Sequence, residues 1–531
     1  MGQPQERPLG VQISHMLKDR GVEVIFGIPG VHNQEMYRGI EEAGLRHVLA
    51  RHEQGAGFMA DGYARATGRP GVAYVITGPG VCNIMNPMGQ AYSDSVPILV
   101  ISSCLDETAA TRGQLHQMRD QEGAARTVCD WSETAQTAQA AYQLIDRALQ
   151  EFQTARPRPK HMLVPIAQLE GLATSYATAP LARDAFRPAV PEPGQIKEIC
   201  KLLARAERPL FVLGGGLKDH PSIMDVIARH SGACFTTYAG RGLVSLDYPL
   251  NFGATLARSE SADVVAKADL VIAVGTELSE VDLWRSKLGE VAQMVRVDLD
   301  PLVSAEADIA ICADGRAFFE ALSSQSQDVQ KDPKWTPQEV LAAKTRWRAQ
   351  ADAERPGISV IIDALYDVAP REAMIYSDMT QFAYLAKEIY LMDRSGHWHH
   401  PSGFGTLGYA LPAAIGGKIG LGDQPVISIN GDSGFQYNIQ ELATAVEFGL
   451  TLPIIVWDNA KLGEIEDSMT RAQIAPNAVI ARNPDFCKLA EAYGAQSAAP
   501  RSLAAFKQAV TDALKAEGPT LIHVTPETGR H

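Results

Sequence analysis

No run of about 18 apolar residues occurs in the 531-residue sequence, so it predicts no membrane-spanning helix. The seven cysteines stand singly, without a CxxC pair, which favours a reduced protein over a disulfide framework. Positive charge is scarce: 48 Lys and Arg residues face 62 Asp and Glu residues, for a net charge of -14. The first ten residues lack the apolar stretch of a secretory signal. We therefore expect a cytoplasmic protein that binds neither nucleic acid nor membranes.

The remaining composition is that of a globular protein, with 46% hydrophobic and 21% charged residues. Short β-branched runs such as Val72–Ile76, Leu270–Val274 and Leu521–Val524 alternate with helical patterns along the chain. Strands separated by helices indicate βαβ units and parallel sheets. The sequence therefore predicts the α/β class.

Two stretches read as linkers, the proline-rich Ala179–Gly194 and the polar Ser323–Pro337. A chain of this length is also too long for one hydrophobic core. We therefore predict three doubly wound parallel-sheet domains, over residues 1–175, 192–325 and 345–531.

The most informative segment lies between residues 426 and 459. A predicted strand, Val426–Ile429, leads to Asp432, and a second, Leu452–Trp457, leads to Asn459. Between them we predict a helix over Asn438–Phe448, with Asn438 and Glu441 spaced as a capping box. Because parallel strands present their carboxyl ends at one sheet edge, Asp432 and Asn459 should converge there.

The residue types at this edge suit a metal and a phosphate group. A carboxylate, an amide oxygen and a backbone carbonyl are hard ligands of the kind that Mg²⁺ prefers. Gly431, Ser433 and Gly434 flank Asp432, so backbone N–H groups can approach a diphosphate at the helix start. Taken alone, each half of the motif could equally be an ordinary turn.

Together, the two halves resemble the diphosphate motif of thiamine diphosphate-dependent enzymes, in which Gly-Asp-(Gly/Ala/Ser) is followed further along by Asn-Asn. Asp458 replaces the first Asn, and Asn459 matches the second, metal-binding Asn. The resemblance implies that thiamine diphosphate binds here with Mg²⁺. It also implies that Asp432, Asn459 and the backbone carbonyl of Lys461 are the metal ligands.

A second constellation begins the predicted helix Glu53–Thr67. A lone glutamate at a helix start is more often a favourable partner of the helix dipole than a catalyst. In this context Glu53 resembles the family glutamate that hydrogen-bonds N1′ of the cofactor's aminopyrimidine. The run Thr77–Gly80, with Asn83, resembles acetolactate-synthase-like members of the family. The resemblance therefore implies that Glu53 activates the cofactor.

Two further segments resemble cofactor-binding parts of the family. In Gly403–Pro412, Leu407 would separate the two cofactor rings and the Gly405 carbonyl would accept from the 4′-amino group. Thr380 and Gln381 follow a predicted strand where the family binds phosphate oxygens. In this family the activating glutamate and the diphosphate motif come from different subunits. The resemblance thus implies at least a homodimer, and we expect a homotetramer.

The substrate is the least determined feature. Glu464 stands where related decarboxylases face their substrate, and a carboxylate there suits a guanidinium. A glutamate on a solvated helix face would give the same pattern. Val31 and His32 lie in a segment, Phe26–His32, that especially resembles 2-ketoarginine (5-guanidino-2-oxopentanoate) decarboxylases, as does the stretch 51–63.

His116 and Gln117 fall where members of this branch line the active site. We take His116 as the candidate proton donor. His32 could instead be a helix-entry residue, and His116 a packed loop histidine.

We predict a thiamine diphosphate- and Mg²⁺-dependent enzyme that decarboxylates a 2-oxo acid non-oxidatively, with a cationic acid such as 5-guanidino-2-oxopentanoate as candidate substrate. The alternative is an acetolactate-synthase-like carboligase, which joins the decarboxylated acid to a second carbonyl compound. An FAD-dependent oxidase is less favoured, because the turns at Gly214–Gly216 and Gly275–Glu277 are weak evidence for a nucleotide and FAD is doubtful. A catalytically silent homologue would lack Glu53, Asp432 or Asn459, and all three are present.

Overall fold

The computed structural model of the chain describes residues 6–106, 113–177, 189–304, 307–325 and 334–530. Three six-stranded parallel sheets follow one another along the chain, and helices cover both faces of each sheet. The prediction of three doubly wound α/β domains is therefore confirmed. Much of the two predicted linkers, residues 179–188 and 326–333, lies outside the described residues.

The N-terminal sheet alternates its side chains between two cores. Ile25, Val72 and Leu99 pack on one face, while Phe26 and Val100 pack on the other, as expected for a sheet buried on both sides. In spatial order its strands are Arg46–Leu49, Val24–Gly27, Gly71–Val75, Ile98–Cys104, Lys160–Pro165 and Trp131–Thr134. Its helices are Leu9–Asp19, Gln34–Glu42, Glu53–Thr67, Pro79–Asp94, Gln121–Arg126, Ala138–Thr154 and Ile166–Glu170. A short antiparallel pair, Arg7–Pro8 with Leu172–Ala173, connects the two ends of the domain.

The central sheet has the strand order of dinucleotide-binding folds. Its strands, in spatial order, are Asn251–Gly253, Ala233–Thr236, Pro209–Leu213, Leu270–Val274, Met294–Asp298 and Ile309–Cys312. Its helices are Pro193–Arg205, Pro221–Arg229, Ser261–Val265, Glu280–Leu283 and Gly315–Gln325, and a longer helix, Pro337–Glu354, follows. At the topological switch point the two glycine turns touch: Gly216 N–H donates to the Gly275 carbonyl at 3.0 Å. A Cβ on Gly214 would lie 2.1 Å from that oxygen, so close backbone packing accounts for these glycines.

The C-terminal sheet repeats the strand order of the N-terminal sheet. Its strands, in spatial order, are Trp398–His399, Met374–Ser377, Val426–Gly431, Leu452–Trp457, Pro519–Val524 and Gln496–Ala498. Its helices are Ile358–Val368, Gln381–Ile389, Ala410–Leu421, Asp432–Tyr437, Leu442–Glu447, Gly463–Arg471, Phe486–Ala492 and Leu503–Ala513. Across the described ranges, no helix combines the length and apolarity needed to cross a membrane.

The predicted helix Asn438–Phe448 is confirmed only in part, as a 3₁₀ turn over Ile439–Glu441 followed by the helix Leu442–Glu447, and its capping box is wrong. A helix already begins at Asp432, and a 3₁₀ turn over Ile439–Glu441 separates it from the next. The Asn438 side chain donates to the Gly408 carbonyl at 2.8 Å instead of capping a helix. Glu441 accepts from two backbone N–H groups of the N-terminal domain, those of residues 51 and 52. Tertiary partners have replaced the local pairing that the spacing suggested.

The N- and C-terminal domains share one core through two helices, Glu53–Thr67 and Ala410–Leu421. The helices meet backbone to backbone: a Cβ on Gly62 would lie 1.9 Å from the Ala413 carbonyl oxygen. A Cβ on Gly416 would lie equally close to a carbonyl oxygen of the other helix. This contact fixes the N-terminal end of the first helix, where Glu53 stands, relative to the C-terminal sheet.

Candidate active site

The loops after two neighbouring strands of the C-terminal sheet come together at its carboxyl edge. Gly431 pairs with Trp457 in the sheet, so Asp432 and Asp458 follow at the same level. The side-chain amide of Asn483 donates to both carboxylates, at 2.7 Å to Asp432 and 2.8 Å to Asp458. One nitrogen therefore lies within hydrogen-bonding distance of both loops.

Asn459 lies in a strained turn beside these carboxylates. The next residue, Ala460, has a positive φ of 56°, and its N–H donates to Asp458 at 2.9 Å. The Asn459 side chain donates to Gln381 at 3.1 Å, and its oxygen accepts from Lys461 N–H at 3.3 Å. Within the described ranges no group of three or more His, Cys, Asp or Glu residues suits a metal. A hard cation here would depend on mixed carboxylate, amide and carbonyl oxygens, which is the chemistry of a Mg²⁺ site.

The two carboxylates differ in their electrostatic surroundings. Burial raises the pKa of Asp432, against the hydrogen bonds from Asn483 and the Ser433 N–H. Burial also acts on Asp458, but hydrogen bonds from His523, Asn483 and the Ala460 N–H outweigh it and hold the pKa of Asp458 below its usual value. Asp458 is thus satisfied by the protein, whereas a nearby cation would stabilise the charged form of Asp432.

The loop that carries Leu407 is fixed on both sides. Asp378 accepts from the Gly408 N–H at 2.9 Å, and Asn438 donates to the Gly408 carbonyl at 2.8 Å. The Asp378 carboxylate also lies against Gly434, where a Cβ would come within 3.0 Å of it. Burial raises the pKa of Asp378 to about 6. Half-buried Leu407 is therefore held at a fixed distance from the Asp432 loop.

Three other predicted residues, Thr380, Gln381 and Gly405, lie near the Asp432, Asn459 and Leu407 loops. Thr380 is buried against Gly431, at 3.1 Å from the position of a Cβ there. Gln381 connects Asn459 to Asp467, to which it donates at 3.2 Å. Gly405 adopts a positive φ of 69°, which favours glycine.

The second group of predicted residues lies in the N-terminal domain. Glu53 is 8% exposed and begins its helix, which the His52 side chain caps by accepting from the Gln54 N–H. Asn83 donates to Glu53 Oε2 at 2.9 Å. Over the described ranges, Oε1 makes no hydrogen bond, and a Cβ on Gly80 would lie 3.4 Å from it. One carboxylate oxygen is thus held by the protein and the other is available.

The structure brings His32 and His116 together. Their rings meet edge to face with centroids 4.9 Å apart, and neither buried Nδ1 atom has a hydrogen-bond partner among the described residues. Burial and the neighbouring His116 lower the pKa of His32. His116 has a positive φ of 62°, and its carbonyl packs against Gly78, which leaves no room for a side chain there. Two unpaired ring nitrogens in one small space are suited to binding or protonating a ligand.

The positions of Val31 and Gln117 do not by themselves indicate a contact with a ligand. Val31 is 57% exposed beside His32. The Gln117 side chain accepts from the Gln114 N–H at 3.2 Å, within its own loop.

Glu464 is not a freely solvated helix residue. Its Oε2 accepts from Arg355 Nη2 at 2.8 Å, while Arg471 Nη2 lies 3.8 Å from Oε1. The preceding residue, Gly463, packs against the side chains of Gln381 and Asn459. A carboxylate that already accepts from a guanidinium therefore directly follows a glycine that packs against Asn459.

Two residues at this edge had not been predicted, Asn483 and Asp378. Asn483 lies in a stretch without regular secondary structure, so no spacing marks it. Asp378 directly follows the strand Met374–Ser377, and the strand-end reasoning used for Asp432 would have found it. Within the described part of a single chain, no hydrogen bond or ion pair joins Glu53 to the Asp432 loop.

A parallel α/β fold with polar loops at its switch points, a mixed set of hard oxygen atoms and a separate buried glutamate defines a cofactor-dependent α/β enzyme. Three family descriptions match the chain. They are the thiamine pyrophosphate enzyme N-terminal TPP binding domain over residues 8–124, its central domain over 196–322, and its C-terminal TPP binding domain over 378–524. The chain belongs to the thiamine pyrophosphate (thiamine diphosphate) enzymes.

Comparison with individual proteins agrees with this membership. A Pseudomonas aeruginosa protein named probable 2-ketoarginine decarboxylase AruI is 39% identical, over 98% of this chain and 95% of the relative. The acetolactate synthase isozyme 2 large subunit of Escherichia coli is 27% identical, over 97% of this chain and 94% of the relative. The acetolactate synthase large subunit of Haemophilus influenzae is 29% identical, over 90% and 87%. The predicted family and its acetolactate-synthase-like branch are confirmed.

Proposed function

We propose that this enzyme decarboxylates a 2-oxo acid with a cationic side chain, such as 5-guanidino-2-oxopentanoate, without oxidation and with Mg²⁺ as the metal. The observation that carries the proposal is the pairing of Glu464 with the guanidinium of Arg355 beside the Asn459 turn. The relative that is 39% identical is named probable 2-ketoarginine decarboxylase, which supports the same substrate class.

The residues at the carboxyl edge of the C-terminal sheet would hold the cofactor through the metal. Their hard oxygen atoms fit Mg²⁺, and the glycines around Asp432 leave the backbone N–H groups accessible. We assign the metal to Asp432, Asn459 and the Lys461 carbonyl. Thiamine diphosphate, when bound, supplies the nucleophilic carbon and accepts the electrons released with CO₂. We assign its diphosphate to Gly431, Ser433, Gly434, Thr380 and Gln381, and its ring contacts to Gly405 and Leu407.

Glu53 would act on the aminopyrimidine rather than on the substrate. Because Asn83 already binds Oε2, the carboxylate is oriented and Oε1 can hydrogen-bond a ring nitrogen. We place the Asp432 loop opposite Glu53 on a second chain, because the family resemblance implies that these two groups come from different subunits. The functional unit is then at least a homodimer, and we propose a homotetramer.

His116 would deliver the proton that replaces the lost carboxyl group. Its Nδ1 is buried next to the His32 ring and has no hydrogen-bond partner in the described ranges. The lowered pKa keeps His32 neutral at pH 7, so it can accept a hydrogen bond from the substrate or from His116. We place Gln117 and Val31 beside these two histidines in the active-site wall.

The two carboxylate oxygens of Glu464 would have different roles in selecting a cationic substrate. Arg355 holds Oε2 at 2.8 Å, whereas Arg471 is too far from Oε1 for a hydrogen bond, at 3.8 Å, and is mostly exposed. A substrate guanidinium can therefore replace Arg471 at Oε1 while Arg355 keeps the carboxylate in place.

The test compares CO₂ release from 5-guanidino-2-oxopentanoate with release from 5-ureido-2-oxopentanoate, an acid of nearly the same shape whose side chain is uncharged. We expect the guanidino acid to be preferred, and Glu464→Gln to lower its kcat/KM by about tenfold or more while changing that of the ureido acid little. Glu517→Gln, an exposed glutamate ahead of the strand Pro519–Val524, is the control with the same charge change.

Equal use of the two acids would refute the cationic substrate. Preference for pyruvate, with acetolactate as the product, would instead assign the enzyme to the carboligases, the activity named for its relatives at 27% and 29% identity.

A further inference from the structure

A cavity of about 380 Å³ lies away from the residues discussed above, between the central and C-terminal domains. Its walls come from the edge strand Asn251–Gly253, the helix Pro337–Glu354 and the end of the helix Gln381–Ile389. Its volume is that of a small-molecule site. Much of the wall is apolar, through Val244, Leu246, Phe252, Trp347, Leu391 and Met392.

The charged residues of this cavity leave a surplus of positive charge. Arg241 is 6% exposed, donates to two backbone carbonyls and stacks over the Trp398 ring, and Lys344 also lines the cavity. Over the described ranges neither of them forms an ion pair with a carboxylate. The lining carboxylate of Glu388 is neutralised by Arg258 at 2.6 Å, and the remaining lining cation, Arg348, is paired with Asp363.

A third donor, the indole N–H of Trp347, belongs to a side chain of the cavity wall. Trp347 is 2% exposed, and its indole N–H makes no hydrogen bond within the part of the chain that the structure describes. Buried donors in proteins are nearly always paired, so an indole N–H without a partner, beside two cations without a described carboxylate partner, indicates a missing acceptor. Burial lowers the pKa of Arg241 to about 9 and also lowers that of Lys344, in line with charges that lack a counter-ion.

We propose that this cavity binds a small organic carboxylate with an apolar body. The carboxylate would accept from Lys344, Arg241 and the Trp347 N–H, and the apolar body would contact Phe252 and Met392. Inorganic phosphate fits less well, because it would leave the apolar wall in contact with water.

The helix Gln381–Ile389 connects this cavity to the candidate active site. Its first residue, Gln381, bonds Asn459, and its last residues, Glu388 and Ile389, line the cavity. A bound carboxylate would therefore act as an effector, because it contacts a rigid element that ends at the active site.

The probe is phenylacetate, which has no 2-oxo group and cannot be a substrate. Binding is measured by calorimetry on the enzyme loaded with thiamine diphosphate and Mg²⁺, with phenylacetamide as the neutral analogue and inorganic phosphate as the anion without an apolar body. We expect phenylacetate to bind at least about tenfold more tightly than either.

Lys344→Met should weaken phenylacetate by about tenfold or more and leave activity without the probe unchanged. Arg346→Met removes one charge from the same helix outside the cavity and should leave binding within about twofold. Trp347→Phe, which keeps the ring and removes the N–H, is the second variant if Lys344→Met does not fold, and should weaken binding severalfold.

Absence of binding at millimolar phenylacetate would overturn the proposal. So would equal loss in Lys344→Met and Arg346→Met. Inhibition that competes with the 2-oxo acid and persists in Lys344→Met would place the probe in the active site, which also overturns it. An effect on the rate that remains at saturating 2-oxo acid and disappears in Lys344→Met would support the effector role.

Discussion

Asp378 accepts a 2.9 Å hydrogen bond from the backbone N–H of Gly408, although 30 residues separate them in the chain. Gly408 has a positive φ of 84°, and a Cβ there would collide with Tyr437 and Asn438. The turn after Leu407 is therefore held by a buried carboxylate, and it leaves no room for a side chain. Asp378, which contacts no proposed ligand itself, can in this way determine the position of Leu407, which is a proposed ligand contact.

We expect Asp378→Ala to weaken thiamine diphosphate binding by about tenfold or more. The Gly408 N–H loses its acceptor, and a buried unpaired donor costs about 1–3 kcal/mol, so the Leu407 turn relaxes. Cofactor affinity is measured by the quench of tryptophan fluorescence at saturating Mg²⁺. Asp423→Ala, which removes an exposed carboxylate of the same domain, should have no effect. Unchanged affinity in Asp378→Ala would show that the turn does not depend on this bond.

Glu441 should make stability depend on pH. Burial raises its pKa to about 7 from an ordinary value of 4.5, against hydrogen bonds from Thr444 and the backbone N–H groups of Arg51 and His52. The folded chain therefore keeps a proton that the unfolded chain has lost. This contribution to the free energy of unfolding is fully present below pH 4.5 and is lost as the pH rises through 7, a loss of about 3 kcal/mol.

Glu441→Gln should remove this dependence. The amide oxygen can accept from the two backbone N–H groups, and its NH₂ can donate to Thr444, as a protonated glutamic acid would. We expect the melting temperature of the variant, relative to the unchanged protein, to rise between about pH 4.5 and pH 7 and to level off above pH 7, because the folded and unfolded chains differ in the protonation of Glu441 only over that range. A difference that stays constant with pH would mean that Glu441 is ionised throughout.

Glu53→Gln should separate cofactor binding from catalysis. We expect CO₂ release to fall by about a hundredfold or more, because proton transfer assisted by a positioned carboxylate contributes on that order. Thiamine diphosphate affinity should stay within severalfold, since the proposed metal and diphosphate contacts do not include Glu53. Glu35→Gln, at the start of the neighbouring helix Gln34–Glu42, is the control. Equal losses of binding and activity would indicate a structural role.

Asn483→Asp should couple stability to the metal more strongly. The new carboxylate would lie beside Asp432 and Asp458, so the metal-free protein should melt at a lower temperature through like-charge repulsion. Mg²⁺ with thiamine diphosphate should restore more stability than it adds to the unchanged protein, because binding to the folded state alone raises the melting temperature. Asn477→Asp, in the same exposed stretch, should show the ordinary Mg²⁺ response. An ordinary response in Asn483→Asp as well would place the metal elsewhere.

The elements that could be predicted are those that local sequence determines. Leu270–Val274 and Leu452–Trp457 are apolar runs bounded by turn residues, and both strands have the predicted bounds. The helix Glu53–Thr67 also agrees, because a capping histidine precedes it and Gly68 ends it with a positive φ. Parallel sheets then bring the loops after neighbouring strands to one edge, which is why the positions of Asp432 and Asn459 followed from spacing.

The features that could not be predicted depend on partners far away in the chain. Glu441 has the spacing of a capping box but bonds a backbone N–H 390 residues away. From the sequence, Glu464 could equally be a substrate contact or a solvated helix residue, because its partner Arg355 stands 109 residues before it. Asn483 reaches two carboxylates from a loop that has no periodicity to interpret. Side-chain partners over such distances are decided by tertiary packing, which a single sequence does not display.

The contact at Gly62 and Gly416 has a consequence for motion. Two helices that touch through their backbones have no side-chain rotamers to exchange between them, so they cannot slide past each other without separating. We therefore expect the outer domains of the chain to move as one rigid unit, and rearrangement within a chain to be confined to the central domain and the loops at the sheet edges.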